Sequence, residues 1–351
     1  MITKAIATAA MAMAIASLQA GPQDEKALKV LLNALEAQRD VKATLIQRRS
    51  VGRQTVTVKV QIVPGRGIRS TVIEPQIFAG VVSFDDGVEW RNYDPFNNTL
   101  RIEKSPAKFH LDVRFRGSVI RQNYIVTFDD DSAVAGRATR VVHMRGKVAG
   151  VVDRRLFIDS NNNLILRYII YNPGEQPFTT VDTISVDFGN QPNEAYLDRI
   201  GARGAKEVRS WGPRELKRPE DALRYVDFQP KVPHGIPAGL QLQSIHMVGT
   251  ASNPFIGVRL TDGMAVVTVY LWRQGKAGEP FNGAFQAETA DGIRCYVQGD
   301  MTTAAKKRLA KLFIDEFLGL LNDSGTNFAH KGVSVVRLGR GAIPTGNSLK
   351  W

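Results

Sequence analysis

Between Thr55 and Val63 the side chains alternate without a break, with Val56, Val58, Val60 and Ile62 on one face and Thr55, Thr57, Lys59 and Gln61 on the other. Successive strand side chains point to opposite faces, so this period of two requires a strand that is buried on one side and wet on the other. Such a strand belongs in an antiparallel sheet, and its apolar face must be covered. Further strand patterns follow at Ile68–Ile73, Asn123–Phe128, Ala138–Met144, Arg154–Asp159, Leu164–Tyr171 and Phe178–Phe188. The cover comes from upstream. Pro22 and Asp24 suit a helix start, and Leu28, Leu31, Leu32 and Leu35 form one apolar stripe on a segment that ends near Arg39. Many short strands after one helix predict an antiparallel sheet that curls around that helix over residues 21–189.

Within that region Ser83–Phe96 reads as a hairpin turning at Asp86-Gly87, with Trp90, Tyr93 and Phe96 as an aromatic rim. Residues 105–122 have no clear period, although Phe109, Leu111, Val113 and Phe115 alternate, and read as a connection or a short strand. Asp129-Asp130-Asp131-Ser132 reads as a solvated turn, because no loop with calcium-ligand spacing follows it. Residues 190–217 are polar, basic and Gly-containing and read as a linker. A smaller α+β domain is expected over 218–321. It has a helix start at Pro219, strands at Leu240–Val248, Ile256–Leu260, Ala265–Trp272 and Ile293–Gln298, and a helix over Thr302–Leu321 with a basic outer face. Residues 322–351 read as a flexible tail.

Residues 1–20 differ from the rest. Lys4 precedes an Ala-rich apolar run too short to span a membrane, and Ser17-Leu18-Gln19-Ala20 closes the segment with a small residue at the expected cut and Leu18 where a second small residue is usual, which describes a cleavable export signal and a periplasmic or secreted protein. Cys295 is the single cysteine, so no intramolecular disulfide can form in an oxidising compartment and stability rests on the core. The formal charge of +12 is spread along the chain, which argues against nucleic acid and leaves anionic surfaces or an acidic protein as partners.

No motif for metal, phosphate or nucleophilic chemistry is present, and the five histidines are scattered, so no catalytic residue, metal site or cofactor is assigned and the chain reads as a non-enzyme. The aromatics carry more information. Trp90, Tyr93, Phe96, Phe109, Phe115 and Tyr124 gather in the least regular part of the predicted sheet, where they either fill the core under the helix or line an apolar ligand cavity.

Ile68–Pro75, Asp86-Gly87, Trp90 and Tyr93-Asp94-Pro95-Phe96 resemble the corresponding region of the LolA/LolB-like lipoprotein carrier fold, a half-open β-barrel closed by helices. Ala135-Gly136-Arg137-Ala138 and Phe157-Ile158-Asp159-Ser160 are more similar to the MucB/RseB family, which has that fold in its first domain. Val232-Pro233-His234-Gly235, Arg259–Met264 and Gly299-Asp300-Met301 resemble its smaller second domain. The resemblance implies a periplasmic sigma-factor regulator that binds a membrane anti-sigma-like protein and releases it when a lipid or acyl chain enters the first domain. A carrier of lipid or lipoprotein is the alternative.

Overall fold

The structure is a computed structural model that describes residues 22–105, 113–172, 176–189, 196–209, 214–233, 235–236, 239–249, 253–274, 281 and 284–323. The expected export signal and the tail after residue 323 lie outside the described residues. Two sheets organise the chain.

The first sheet has twelve strands: β1 (Ala43–Val51), β2 (Gln54–Val63), β3 (Gly67–Glu74), β4 (Val82–Asp85), β5 (Glu89–Asp94), β6 (Thr99–Lys104), β7 (Tyr124–Val134), β8 (Arg137–Gly146), β9 (Arg154–Asp159), β10 (Ile165–Tyr171), β11 (Pro177–Asp187) and β12 (Lys206–Arg209). Their order is β12-β6-β5-β4-β3-β2-β1-β11-β10-β9-β8-β7, and among the described residues its two edge strands do not pair with each other. The sheet is therefore curled but open. Every neighbour pair is antiparallel except β12 with β6, which is parallel.

Helix α1 (Pro22–Asp40) lies on the inner face. Ala27, Leu28, Leu31 and Ala34 are buried against Val126, Val142, Leu156, Ile170 and Val181, which is the packing the leucine stripe predicts. Each fully buried leucine contributes about 1.5–3 kcal/mol of transfer free energy. Helix α2 (Val113–Asn123) replaces the expected connection or short strand. Val119 and Ile120 are fully buried, and a Cβ on Gly117 would sit 3.3 Å from Leu32 Cδ1, so the glycine lets α2 approach α1 closely. The three aspartates also depart from expectation. They lie inside β7 at an irregularity in its pairing with β8, between Asp129 and Ser132. Asp129 is held there by Arg155 at 2.9 Å, so the run bends a strand instead of ending it.

The second sheet contains β13 (Arg214–Leu216), β14 (Gln241–Gly249), β15 (Pro254–Thr261), β16 (Val266–Arg273), β17 (Ala287–Glu288) and β18 (Ile293–Gln298) in the order β13-β14-β15-β16-β18-β17. Pro219–Arg224 forms a short 3-10 helix. Helix α3 (Thr303–Asp323) buries Leu309, Ala310, Phe313 and Ile314 against Ile256, Val258, Val267, Val269, Cys295 and Val297.

The stretch expected as a linker is structured where it is described. Arg69 Nη1 donates to the carbonyls of Tyr196, Leu197 and Arg199 at 2.7, 3.2 and 2.9 Å. Leu197 is buried with Phe84 and Val63. β12 extends the first sheet and β13 the second, so two short polar strands were hidden in a composition that resembles a linker.

Candidate functional site

The hairpin of β4 and β5 forms as its turn chemistry requires. Gly87 adopts φ +84°, Asp85 Oδ1 accepts from Gly87 N at 2.8 Å, and Asp86 Oδ1 accepts from the amides of Val88 and Glu89 at 2.7 Å each. The aromatics beside it do not form one wall. Trp90 and Tyr93 are three apart on one strand and so point to opposite faces. Trp90 is half-buried opposite Glu103, while the Tyr93 ring lies beside Gly201 and its hydroxyl donates to Asn98 Oδ1 at 3.1 Å. Phe96 is 60% exposed in the following turn, and Phe115 is exposed on α2. Tyr124 is buried at the start of β7, at the far edge of the sheet from this hairpin. Phe109 lies outside the described residues. Two surface grooves, of about 460 and 600 Å³, are lined by Glu25, Leu28, Leu32 and Arg121 and by Arg48, Thr57, Ile73 and Gln76, with none of the five described aromatics among their walls.

Polar groups on the inner face were not anticipated. In β1 the parity that buries Ala43 and Leu45 also turns Gln47 and Arg49 inward. Arg49 Nη2 donates to Gln47 Oε1 at 2.9 Å, and burial lowers the guanidinium pKa to about 10.

The most developed polar constellation joins the two sheets. Arg154 on β9 shares the inward parity of Leu156 and Ile158 and is 0% exposed. Its Nε donates to Tyr124 Oη at 3.3 Å and its Nη1 donates to Tyr168 Oη. The balancing charges come from the other sheet, with Asp262 Oδ2 at 3.7 Å and Asp300 Oδ2 at 3.6 Å. Burial opposes the charge on Arg154, but the surrounding phenols and the two carboxylates outweigh it and hold the guanidinium pKa well above its usual value. Burial raises Tyr124 well above its ordinary pKa and pushes Tyr168 up to about 12, so both stay protonated and able to donate.

Asp262 divides its two oxygens between two tasks. Oδ1 accepts from Met264 N and Ala265 N at 2.8 and 2.7 Å and shapes the β15–β16 turn. Oδ2 accepts from the Tyr124 hydroxyl at 2.7 Å. Asn123 Nδ2 donates to the carbonyls of Gly239 and Asp262 at 2.9 and 3.1 Å, and Gly263 at φ +95° lets the turn press on α2, where a Cβ would meet Ile120 Cγ1 at 2.8 Å. These cross-sheet hydrogen bonds and ion pairs suit the junction to holding two sheets in one arrangement.

Residues 84–200 match the family model described as the MucB/RseB N-terminal domain. No curated protein sequence matches the chain. Among solved structures, one described as the crystal structure of MucB matches with a TM-score of 0.57 and 18% identity, covering 83% of this chain and 98% of that one. The complex structure of Pseudomonas aeruginosa MucA/MucB matches with a TM-score of 0.57 and 16% identity over 81% and 97% of the two chains. MucB in complex with MucA(peri) matches with a TM-score of 0.51 and 15% identity over 81% and 97%. The chain thus resembles the MucB/RseB family in sequence over much of its first sheet and in fold over both sheets.

Proposed function

We propose that this chain is a periplasmic, non-enzymatic regulator that binds the exported part of a membrane anti-sigma-like protein. The observation that carries this reading is the two-sheet likeness to MucB, which spans nearly all of that chain and includes structures of MucB bound to MucA. We further propose that 21–189 and 218–321 act as two domains, and that the first senses a lipid or acyl chain on its open sheet, with Trp90 as the member of the predicted aromatic set to be tested first. Signalling would then consist of binding and a change in the junction around Arg154, with no bond made or broken. The alternative, a lipid or lipoprotein carrier, shares the first domain but gives the second no task.

Pull-down of the mature protein from membrane extract tests the reading. Recovery of an anti-sigma-like membrane protein supports it, whereas recovery of lipid alone favours the carrier. For the lipid site, Trp90→Ala is expected to weaken binding of an acyl probe by about 1–3 kcal/mol, and unchanged binding by the folded variant would remove Trp90 from the site.

A further inference from the structure

Arg49 is a cation on the inner face of the first sheet that its surroundings do not neutralise. Val56 lies opposite it on β2 and Val181 on β11, with the Val58–Gln47 pair one step along the strands. Gln47 is buried and tied into the sheet, its Nε2 donating to Thr183 Oγ1 at 3.4 Å. Gln47 Oε1 accepts from one edge of the guanidinium, from Nε at 3.3 Å and Nη2 at 2.9 Å. Nη1 has no hydrogen-bond partner among the described residues, so the edge that Nη1 shares with the second Nη2 proton stays open.

Arg154 has the same inward face and a different environment. Asp262 and Asp300 balance it, whereas no carboxylate among the described residues pairs with Arg49. A neutral amide accepts hydrogen bonds from a guanidinium but leaves its charge, and an unpaired charge removed from water is costly. Burial lowers the Arg49 pKa only to about 10, so the charge is present at neutral pH. An apolar side chain would pack between Val56 and Val181 without that cost. Arg49 is half-buried, so an anion can reach the guanidinium. Its open edge presents two parallel N–H groups, which match two oxygens of a carboxylate or phosphate. Counted through the register of β2, β3, β4 and β5, Trp90 stands on the same face of the sheet.

We propose that Arg49 is a specificity-determining residue of the first sheet, and that it receives the anionic head, a carboxylate or phosphate, of an amphiphile whose acyl chain lies on the valines beside it. The inference rests on the lipid-sensing reading and narrows its ligand to an anionic one. An uncharged acyl compound would bind without this contact.

The test uses the full mature chain and calorimetry at neutral pH with decanoate, which has chain and charge, 1-decanol, which has the chain alone, and inorganic phosphate, which has the charge alone. The unsubstituted protein is expected to bind decanoate about tenfold or more tightly than either of the others. Arg49→Met should weaken decanoate by about tenfold and leave decanol unchanged. Arg48→Met removes an exposed cation from the opposite face of β1 and should keep the preference. Because Arg49→Met removes an unpaired charge, its urea midpoint should not fall below that of the unsubstituted protein. A lower midpoint, or a variant that does not fold, makes Arg49 a structural partner of Gln47 and overturns the proposal. Equal binding of decanoate and decanol by the unsubstituted protein overturns the head-group contact and leaves the lipid-sensing reading standing, while binding of neither removes both. Phosphate bound as tightly as decanoate, and lost in Arg49→Met, makes the site one for a free anion and overturns the amphiphile.

Discussion

Arg154 is the residue on which the two sheets depend most directly, because its charge lies in the core of one and its counter-ions come from the other. Breaking a buried pair from one side leaves an uncompensated charge, while removing both charges avoids that cost. Asp262→Asn keeps an oxygen for the turn amides and loses the charge. It is therefore expected to destabilise the chain by about 3 kcal/mol, and Arg154→Met in the same protein should recover part of the loss. Additive losses in urea titrations of the two single variants and the double variant would sink the coupling. His246 supplies a pH prediction of definite sign. It is buried on β14 beside Ser244, and burial together with Arg259 lowers its pKa to about 3. An unfolded histidine binds its proton near pH 6.5, so between those values the unfolded chain holds more protons and stability rises with pH. The contribution is complete above about pH 6.5 and is lost as pH falls toward about 3, at up to about 1.4 kcal/mol per pH unit. His246→Gln should flatten stability across that window, and an unchanged profile would show that other groups set it.

Single elements determined how much could be read from the sequence. β2 was legible because its alternation is clean, but its neighbour β1, central in the first sheet, was not anticipated. Gln47, Arg48 and Arg49 interrupt the apolar parity that Ala43 and Leu45 begin, since two polar side chains face inward there. Helix α2 was missed for the opposite reason. Alternating Phe109, Leu111, Val113 and Phe115 imitate a strand, whereas the residues that pack are Val119 and Ile120 beyond Gly117. Arg154 did carry a usable signal: it occupies the same parity as Leu156 and Ile158, so a strand drawn there already placed a charge in the core. The same parity sets Trp90 and Tyr93 on opposite faces of β5, against their reading as one rim. Helix α1 is the element whose role the sequence stated most directly. Leu31 is 0% exposed at its centre, so Leu31→Ala is expected to cost about 2–5 kcal/mol, against less than about 0.5 kcal/mol for the exposed Lys29→Ala. Equal shifts of the two denaturant midpoints would mean that α1 is not part of the core.

At the scale of the whole molecule, the chain passes from one sheet to the other between β12 and β13, so a break at 210–213 would leave each short strand with its own sheet. Among the polar contacts that remain between the described residues of the two halves are Asn123 to Gly239 and Asp262, Gln122 to Gln241, Tyr124 to Asp262, and Arg154 to Asp262 and Asp300. Most of these groups are removed from water, so salt should screen them little. A protease site placed at 210–213 and then cut is expected to yield two soluble pieces that elute together, with elution little changed by added salt. Gly263→Val should separate them, because a Cβ there would collide with Ile120 and the residue would have to hold φ +95°. Separate elution of the cut but otherwise unsubstituted chain would mean that the junction does not hold the halves together, and aggregation of either piece would mean that the two sheets are not independent cores. Retention of the pieces until Gly263→Val is introduced would make the Asp262 turn the point through which a bound partner must act to change the arrangement of the sheets.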